Sequence, residues 1–336
     1  MTEEIERNMT EEIEKKSRQT NRQLGDARRA KNDEFYTRRK TVEDELWHYT
    51  EHFAGATVYC NCDDPSESEF YKYFKSDFQR LRLRRVIATG YKNLNPDMFS
   101  DHKADTAWCK EYDGTTETTR PLSGDGDFRK PESVEILRKA DIVCTNPPFS
   151  KFREYVAQLV AENKRFLVIG NINGVSYKGI FRLILDGKLW LGATAFNTGM
   201  YFGVPDNFVY APTYRFDREL NGKKVNRVPG VCWFTNLDHK KRHEDLTLTA
   251  RYGDGSAYPK YDNYDAIEVS RVNDIPQDYA GVMGVPITFL DKWNPDQFEI
   301  LGDSRWHDGS WEANDISFVN GKSIYRRLLI RNRNLE

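Results

Sequence analysis

The sequence predicts an α/β protein, a doubly wound and mostly parallel sheet followed by a smaller, irregular C-terminal module. Three observations carry that expectation. Short apolar runs alternate with amphipathic helical stretches up to Lys188, the texture of a parallel sheet with helices on both faces. Past Lys188 the alternation gives way to strand-like pieces broken by Gly, Pro and Asn, as antiparallel additions would be. A chain of 336 residues, 38% hydrophobic and 30% charged, can bury one large core or two ordinary ones.

Taken in order, residues 1–32 are charged and polar and contain "MTEEIE" twice, too few apolar anchors for packing, so they predict a flexible tail. In "TVEDELWHYTEHF", Val42, Leu46, Tyr49 and Phe53 fall at helical spacing. "ATVYCNCDDP" reads as a strand and its turn, and "SESEFYKYFKSDFQRLRL" as a helix capped by Ser66 or Ser68. "RRVIATGY" and "ADIVCTNPPF" are the next strands. "SKFREYVAQLVAENK" is a helix with Phe152, Tyr155, Val156 and Leu159 on one side, followed by the strand "RFLVIGNI" and the helix "KGIFRLILDGK". "LWLGATAF", "MYFGVP", "NFVYAPTYRF" and "GVCWFTNL" are the strand-like additions. The expected division is a tail at 1–32, a main domain at 33–240 and a second module at 241–336, where clear helices are few.

No run of 18 apolar residues appears and the N-terminus is charged, so neither a membrane span nor secretion is indicated and the cytoplasm is the expected address. Five cysteines, an odd number in a large chain, do not make a disulfide framework. The formal charge of -2 excludes a uniformly basic nucleic-acid binder but not a local basic face.

"ADIVCTNPPFS" is the most informative stretch. Asn146, Pro147, Pro148 and Phe149 follow a strand and precede a helix, where an open parallel sheet binds its ligands. Two prolines hold the backbone of Asn146 and Pro147 extended. A fixed side-chain oxygen, a fixed carbonyl and an aromatic face suit methylation of an exocyclic amine on a nucleobase. The two acceptors would take the hydrogens of the amine, whose lone pair is otherwise delocalised into the ring, and free it to attack. Phe149 would stack on the base once it is flipped from a duplex.

The chain resembles the EcoRI-type DNA adenine-N6 methyltransferases, which use S-adenosylmethionine. The resemblance rests on "KNDEFYT" at Lys31, "VYCNCDDP" at Val58, "GDGDFR" at Gly124, "ADIVCTNPPFSKFREYVAQL" at Ala140, "GVPITFLDKWNPDQFEILG" at Gly284 and "GKSIYRRLLIRNR" at Gly321. It implies a Rossmann-like class I methyltransferase domain, with Asn146, Pro147 and Phe149 on the target adenine. It places Tyr36 and Thr37 at the methionine end of the cofactor, Asn61, Asp63, Asp64 and Pro65 beneath it, Asp127 and Phe128 at its adenine ring, and Asn146 beside it. Cys60 and Cys62 stand where the wider superfamily has Gly-x-Gly, and Thr89 or Tyr91 where an acid often binds ribose. The resemblance also implies a monomer acting on double-stranded DNA, a GAATTC target, and a restriction endonuclease acting on the same site without direct contact.

Rival readings have weaker support. Cys60 and Cys62 with Cys109, Cys144 and Cys232 lack a second close ligand pair for zinc, as does His239 with His243. Cytosine C5 methylation needs a thiolate commonly placed just after a proline, and Cys144 lies three residues before the prolines. RNA guanine-N2 and protein glutamine methyltransferases share the Asn-Pro-Pro-aromatic turn but usually carry a glycine-rich first loop. An inactive DNA-binding module would leave the intact Asn146 and Phe149 without a reason. For phosphate contacts the expected residues are Lys240, Lys241 and Arg242, with Arg326, Arg327 and Arg331.

Overall fold

The computed structural model describes residues 36–62, 64–90, 107–195, 199–253, 255, 257–304 and 317–334; the expected tail, Asp63 and Tyr91 lie outside them. In chain order, β1 (Tyr36–Thr37) and α1 (Arg39–Leu46) precede β2 (Thr57–Asn61), α2 (Glu69–Ser76) and β3 (Arg85–Thr89). Then come β4 (Trp108–Tyr112), β5 (Glu117–Pro121), α3 (Pro131–Lys139), β6 (Ile142–Thr145), α4 (Phe152–Ala161), β7 (Arg165–Asn171), α5 (Lys178–Leu185) and β8 (Trp190–Leu191). After β9 (Met200–Gly203), β10 (Glu219–Leu220), β11 (Lys223–Val228) and β12 (Val231–Thr235), the remaining strands are β13 (Ile267–Glu268), β14 (Met283–Val285), β15 (Phe298–Asp303), β16 (Phe318–Val319), β17 (Lys322–Ser323) and β18 (Leu328–Asn332).

The chain is a mixed α/β protein whose largest sheet has the order β5-β4-β3-β2-β6-β7-β12-β8. Its central pairs β3–β2, β2–β6 and β6–β7 are parallel. On one edge β12 runs antiparallel to β7 and to β8, within the stretch past Lys188 where antiparallel strands were expected. The hairpin β4–β5 on the other edge was not predicted. Every residue of β5 is exposed, so it carries no apolar alternation to read. The chain leaves β2 for β3 on one side and reaches β6 on the other, and strand order therefore reverses where the carboxyl ends of β2 and β6 lie side by side. That is where an open sheet forms a ligand crevice.

Strand alternation distributes the core. Phe166 and Val168 of β7 and Cys232 and Phe234 of β12 join one apolar cluster with Leu137 of α3, Tyr155 and Leu159 of α4 and Phe181 of α5. Trp233 alternates to the other face, where Phe70 of α2 meets its ring edge-on at 5.9 Å. Val42, Leu46, Tyr49 and Phe53 are all fully buried, as their spacing predicts. The α-helix ends at Leu46, however, and tightens into a 3₁₀ segment over Trp47–Phe53. Ser68, the second of the two predicted caps, accepts from the Tyr71 amide at the start of α2. Gly170 of β7 has no side chain because a Cβ there would lie 2.5 Å from the ring of Phe152, the first residue of α4.

By its contacts the chain divides into a larger unit, residues 39–200 with 228–336, and a smaller one whose described residues are 36–38 and 201–227. The larger unit includes a second sheet, β13-β14-β18-β15, and among the described residues past 240 the only helical segments are 3₁₀ turns. In the smaller unit β1 pairs with β9, Tyr36 opposite Gly203, and β10 and β11 form a hairpin. Its two-residue turn, Asn221–Gly222, has φ of 54° and 73°, the left-handed pair that matches the twist of a hairpin. "NFVYAPTYRF", expected to be strand-like, forms turns instead, and Pro212 in its middle can donate no ladder hydrogen bond.

Candidate active site

The Asn-Pro-Pro-Phe turn begins at the carboxyl end of β6. Pro148 is extended, with φ -57° and ψ 122°, and its carbonyl accepts the Lys151 amide to start the turn into α4. Among the described residues, no backbone amide donates to the carbonyl of Pro147. The side-chain oxygen Oδ1 of Asn146 is buried and has no hydrogen-bond partner. A buried acceptor without a donor costs about 1–3 kcal/mol, so this atom is set for a donor that arrives with a ligand. Phe149 is 38% exposed, so part of its ring is open to a ligand.

A network ties this turn to the loop after β2. Thr145, the residue before Asn146, donates its hydroxyl to the backbone carbonyl of Asn61. Asn61 is almost fully buried and its Oδ1 accepts the hydroxyl of Tyr155 on α4. The Tyr155 ring in turn meets Phe128 edge-on at 5.0 Å. Asn61 and Phe128, predicted separately, thus come together through Tyr155, and Thr145 ties the start of the Asn146 turn to Asn61. Its helical spacing marked Tyr155 only as a buried residue. Nothing in one sequence shows where a buried hydroxyl finds its acceptor.

Cys62, at the second place of the missing Gly-x-Gly, has φ +72°. The backbone there has the left-handed conformation that glycine adopts without strain, although the residue is cysteine. Asp64 uses its carboxylate to accept the Ser66 amide and its carbonyl to accept the amides of Glu67 and Ser68, and Pro65 beside it is buried. Asp127 is bound by the Arg129 amide and guanidinium, and the Arg129 hydrogen bonds hold its carboxyl below the usual range. The "GDGDF" loop also approaches the residue just after β3, since a Cβ on Gly126 (φ +78°) would overlap the Gly90 carbonyl. A pocket of about 330 Å³ opens beside this loop, lined by Gly124, Asp125, Gly126, Lys130 and Pro131 but not by Asp127 or Phe128.

Other expected residues are placed as follows. Thr89 is buried and its hydroxyl shares a 2.6 Å hydrogen bond with Tyr59. In the smaller unit, Tyr36 is exposed, whereas Thr37 is buried with its hydroxyl oxygen unpartnered. Of the residues expected on phosphates, Lys241 is paired with buried Asp291 at 2.9 Å. Arg326 binds Asp303 and the Ser176 carbonyl, and Arg327 binds Glu268. Arg242 lies over the Trp190 ring at 3.9 Å. Arg331 sits across from Glu299 at 3.6 Å, and Lys240 is exposed. Burial raises the Cys144 thiol far above its ordinary range, the opposite of what a nucleophilic thiolate needs.

A family model described as adenine-specific methyltransferase EcoRI matches residues 23–333. The type II methyltransferase M.EcoRI of Escherichia coli is 46% identical over 94% of this chain and 98% of its own length. Type II methyltransferases M.MgeORF184P of Mycoplasma genitalium and M.MpnI of Mycoplasma pneumoniae are 38% and 37% identical, each over 91% of this chain and 97% of theirs. No solved structure matches.

Proposed function

The chain belongs to the EcoRI family of adenine-specific methyltransferases and is a site-specific DNA adenine methyltransferase, and from that premise we propose how its residues act. The target is the N6 amine of an adenine flipped out of duplex DNA, and the methyl donor is S-adenosylmethionine. The frame is a Rossmann-like doubly wound sheet of the class I methyltransferases, in which 33–240 does the chemistry and 241–336 recognises the target.

The unpartnered Oδ1 of Asn146 is the observation that carries this reading. It accepts one N6 hydrogen and the Pro147 carbonyl accepts the other. Both acceptors are neutral, so they draw the nitrogen toward tetrahedral geometry without removing a proton first. Pro148 holds them extended, and the surplus proton leaves to solvent after transfer. The exposed face of Phe149 stacks on the base, worth about 1–3 kcal/mol.

S-adenosylmethionine, when bound, supplies an electrophilic methyl group. The left-handed turn at Cys62 and the convergence of the β2, β3 and β6 ends fit such a ligand. Tyr36 and Thr37 would hold its methionine end and Asn61, Asp63, Asp64 and Pro65 its underside. Asp127 and Phe128 would hold its adenine, with Asn146 bordering it. Lys240, Lys241, Arg242, Arg326, Arg327 and Arg331 are proposed at DNA phosphates, with Lys240 the most accessible.

Incubation with labelled S-adenosylmethionine and duplex DNA, then digestion to nucleosides, tests the reaction. Label should appear in N6-methyladenine, and Asn146→Ala should abolish it while cofactor affinity stays within about twofold. Label in another base would refute the reading, as would an active Asn146→Ala chain.

A further inference from the structure

The cations expected to meet phosphate are largely matched by carboxylates of the protein itself, as in Lys241 with Asp291, Arg326 with Asp303 and Arg327 with Glu268. A different set stands in the smaller unit. Residues 201–227 hold Arg215, Arg218, Lys223, Lys224 and Arg227 against Asp206, Asp217 and Glu219. Among the described residues Arg215, Arg218, Lys223 and Lys224 have no carboxylate partner. Asp217, by contrast, is taken up by the Tyr201 hydroxyl at 3.0 Å.

These cations are built onto a run of rings. Tyr210 packs on Tyr214 at 4.9 Å, and Tyr214 meets Phe216 edge-on at 5.7 Å. Arg218 lies over Tyr210 at 5.0 Å and Arg227 over Phe216 at 4.1 Å. A guanidinium held over a ring is oriented without using its in-plane N–H groups. Phe216 and Val209 are exposed on the same segment, 48% and 78%. The tight Asn221–Gly222 turn fixes Lys223 at the start of β11.

We propose that this aromatic-cationic segment is a phosphate-contacting surface for duplex DNA, with Arg215, Arg218 and Lys223 as the contacting cations. The proposal rests on the reading of duplex DNA as substrate. Its cations replace counterions along the backbone, so they contribute affinity without selecting a sequence.

Fluorescence anisotropy of the full chain with labelled duplexes, across a range of salt, tests it. The triple variant Arg215→Gln, Arg218→Gln, Lys223→Gln should bind about tenfold or more weakly at low salt. Its plot of log affinity against log salt should be shallower by about two to three units, on duplexes of any sequence. Lys223→Gln alone, at an exposed position, should lose about one unit and stands as the test if the triple variant fails to fold. An unchanged slope overturns the proposal, whatever happens to affinity. A wild-type chain that binds no duplex would instead overturn the DNA reading on which it rests.

Discussion

Tyr155 donates its hydroxyl to Oδ1 of Asn61, joining the helix that follows the Asn-Pro-Pro-Phe turn to the strand end expected beneath the cofactor. Both side chains are buried, so the bond fixes which way the Asn61 amide faces. Tyr155→Phe keeps the ring against Phe128 and removes only the hydroxyl. Affinity for S-adenosylmethionine should fall about tenfold, roughly 1.4 kcal/mol, by calorimetry. Combined with Asn61→Ala it should add little, because the two act through one contact. Full additivity would mean that Tyr155 does not work through Asn61.

Cys62 separates backbone conformation from side-chain chemistry. Its φ of +72° costs a non-glycine residue roughly 1 kcal/mol or more. Cys62→Gly should therefore retain cofactor affinity within a few-fold, whereas the β-branched Cys62→Val should reduce it and lower the melting temperature. Equal losses in both variants would show that the thiol itself is required.

How much of this was legible in the sequence follows from what kind of signal each feature leaves. Val42, Leu46, Tyr49 and Phe53 gave away their helical face because burial repeats with the period of the backbone. The turn from Asn146 to Phe149 could be placed between a strand and a helix because two prolines constrain the chain locally. The β4–β5 hairpin left no trace, since its outer strand is exposed throughout. Pairing across the fold was also hidden. Arg326 and Arg327 were expected at DNA phosphates, yet each is paired with an acid of the chain itself, Asp303 and Glu268, 23 and 59 residues away.

Glu45 is another partner set that only the fold reveals. Fully buried on α1, it accepts from the Tyr49 hydroxyl and the Ala193 amide at 2.7 Å, and from the amide and hydroxyl of Thr194. It holds the loop after β8 by donors alone. Gly192 beside it has no room for a Cβ, which would lie 2.3 Å from the carboxylate. In Glu45→Gln an amide NH2 would face donors, leaving at least one buried N–H or O–H unmatched. The expected loss is about 2–3 kcal/mol in chemical denaturation. Unchanged stability would mean the loop rearranges freely.

His239 should make stability depend on pH. Its Nε2 lies 3.0 Å from the Leu191 carbonyl, its Nδ1 is buried without a partner, and burial depresses its pKa from 6.5 to about 4. Tyr49 packs against the ring, with Lys241, Asp238 and His48 the nearby titratable groups. Between pH 6.5 and 4 the unfolded chain binds a proton at this histidine that the folded chain does not. Its contribution is therefore fully present above pH 6.5 and is lost as pH falls toward 4, on the order of 3 kcal/mol in all. His239→Gln keeps a donor for Leu191 and cannot titrate. Its melting temperature should fall less than that of the wild type between pH 7 and 5, and parallel curves would show that other groups govern the acid limb.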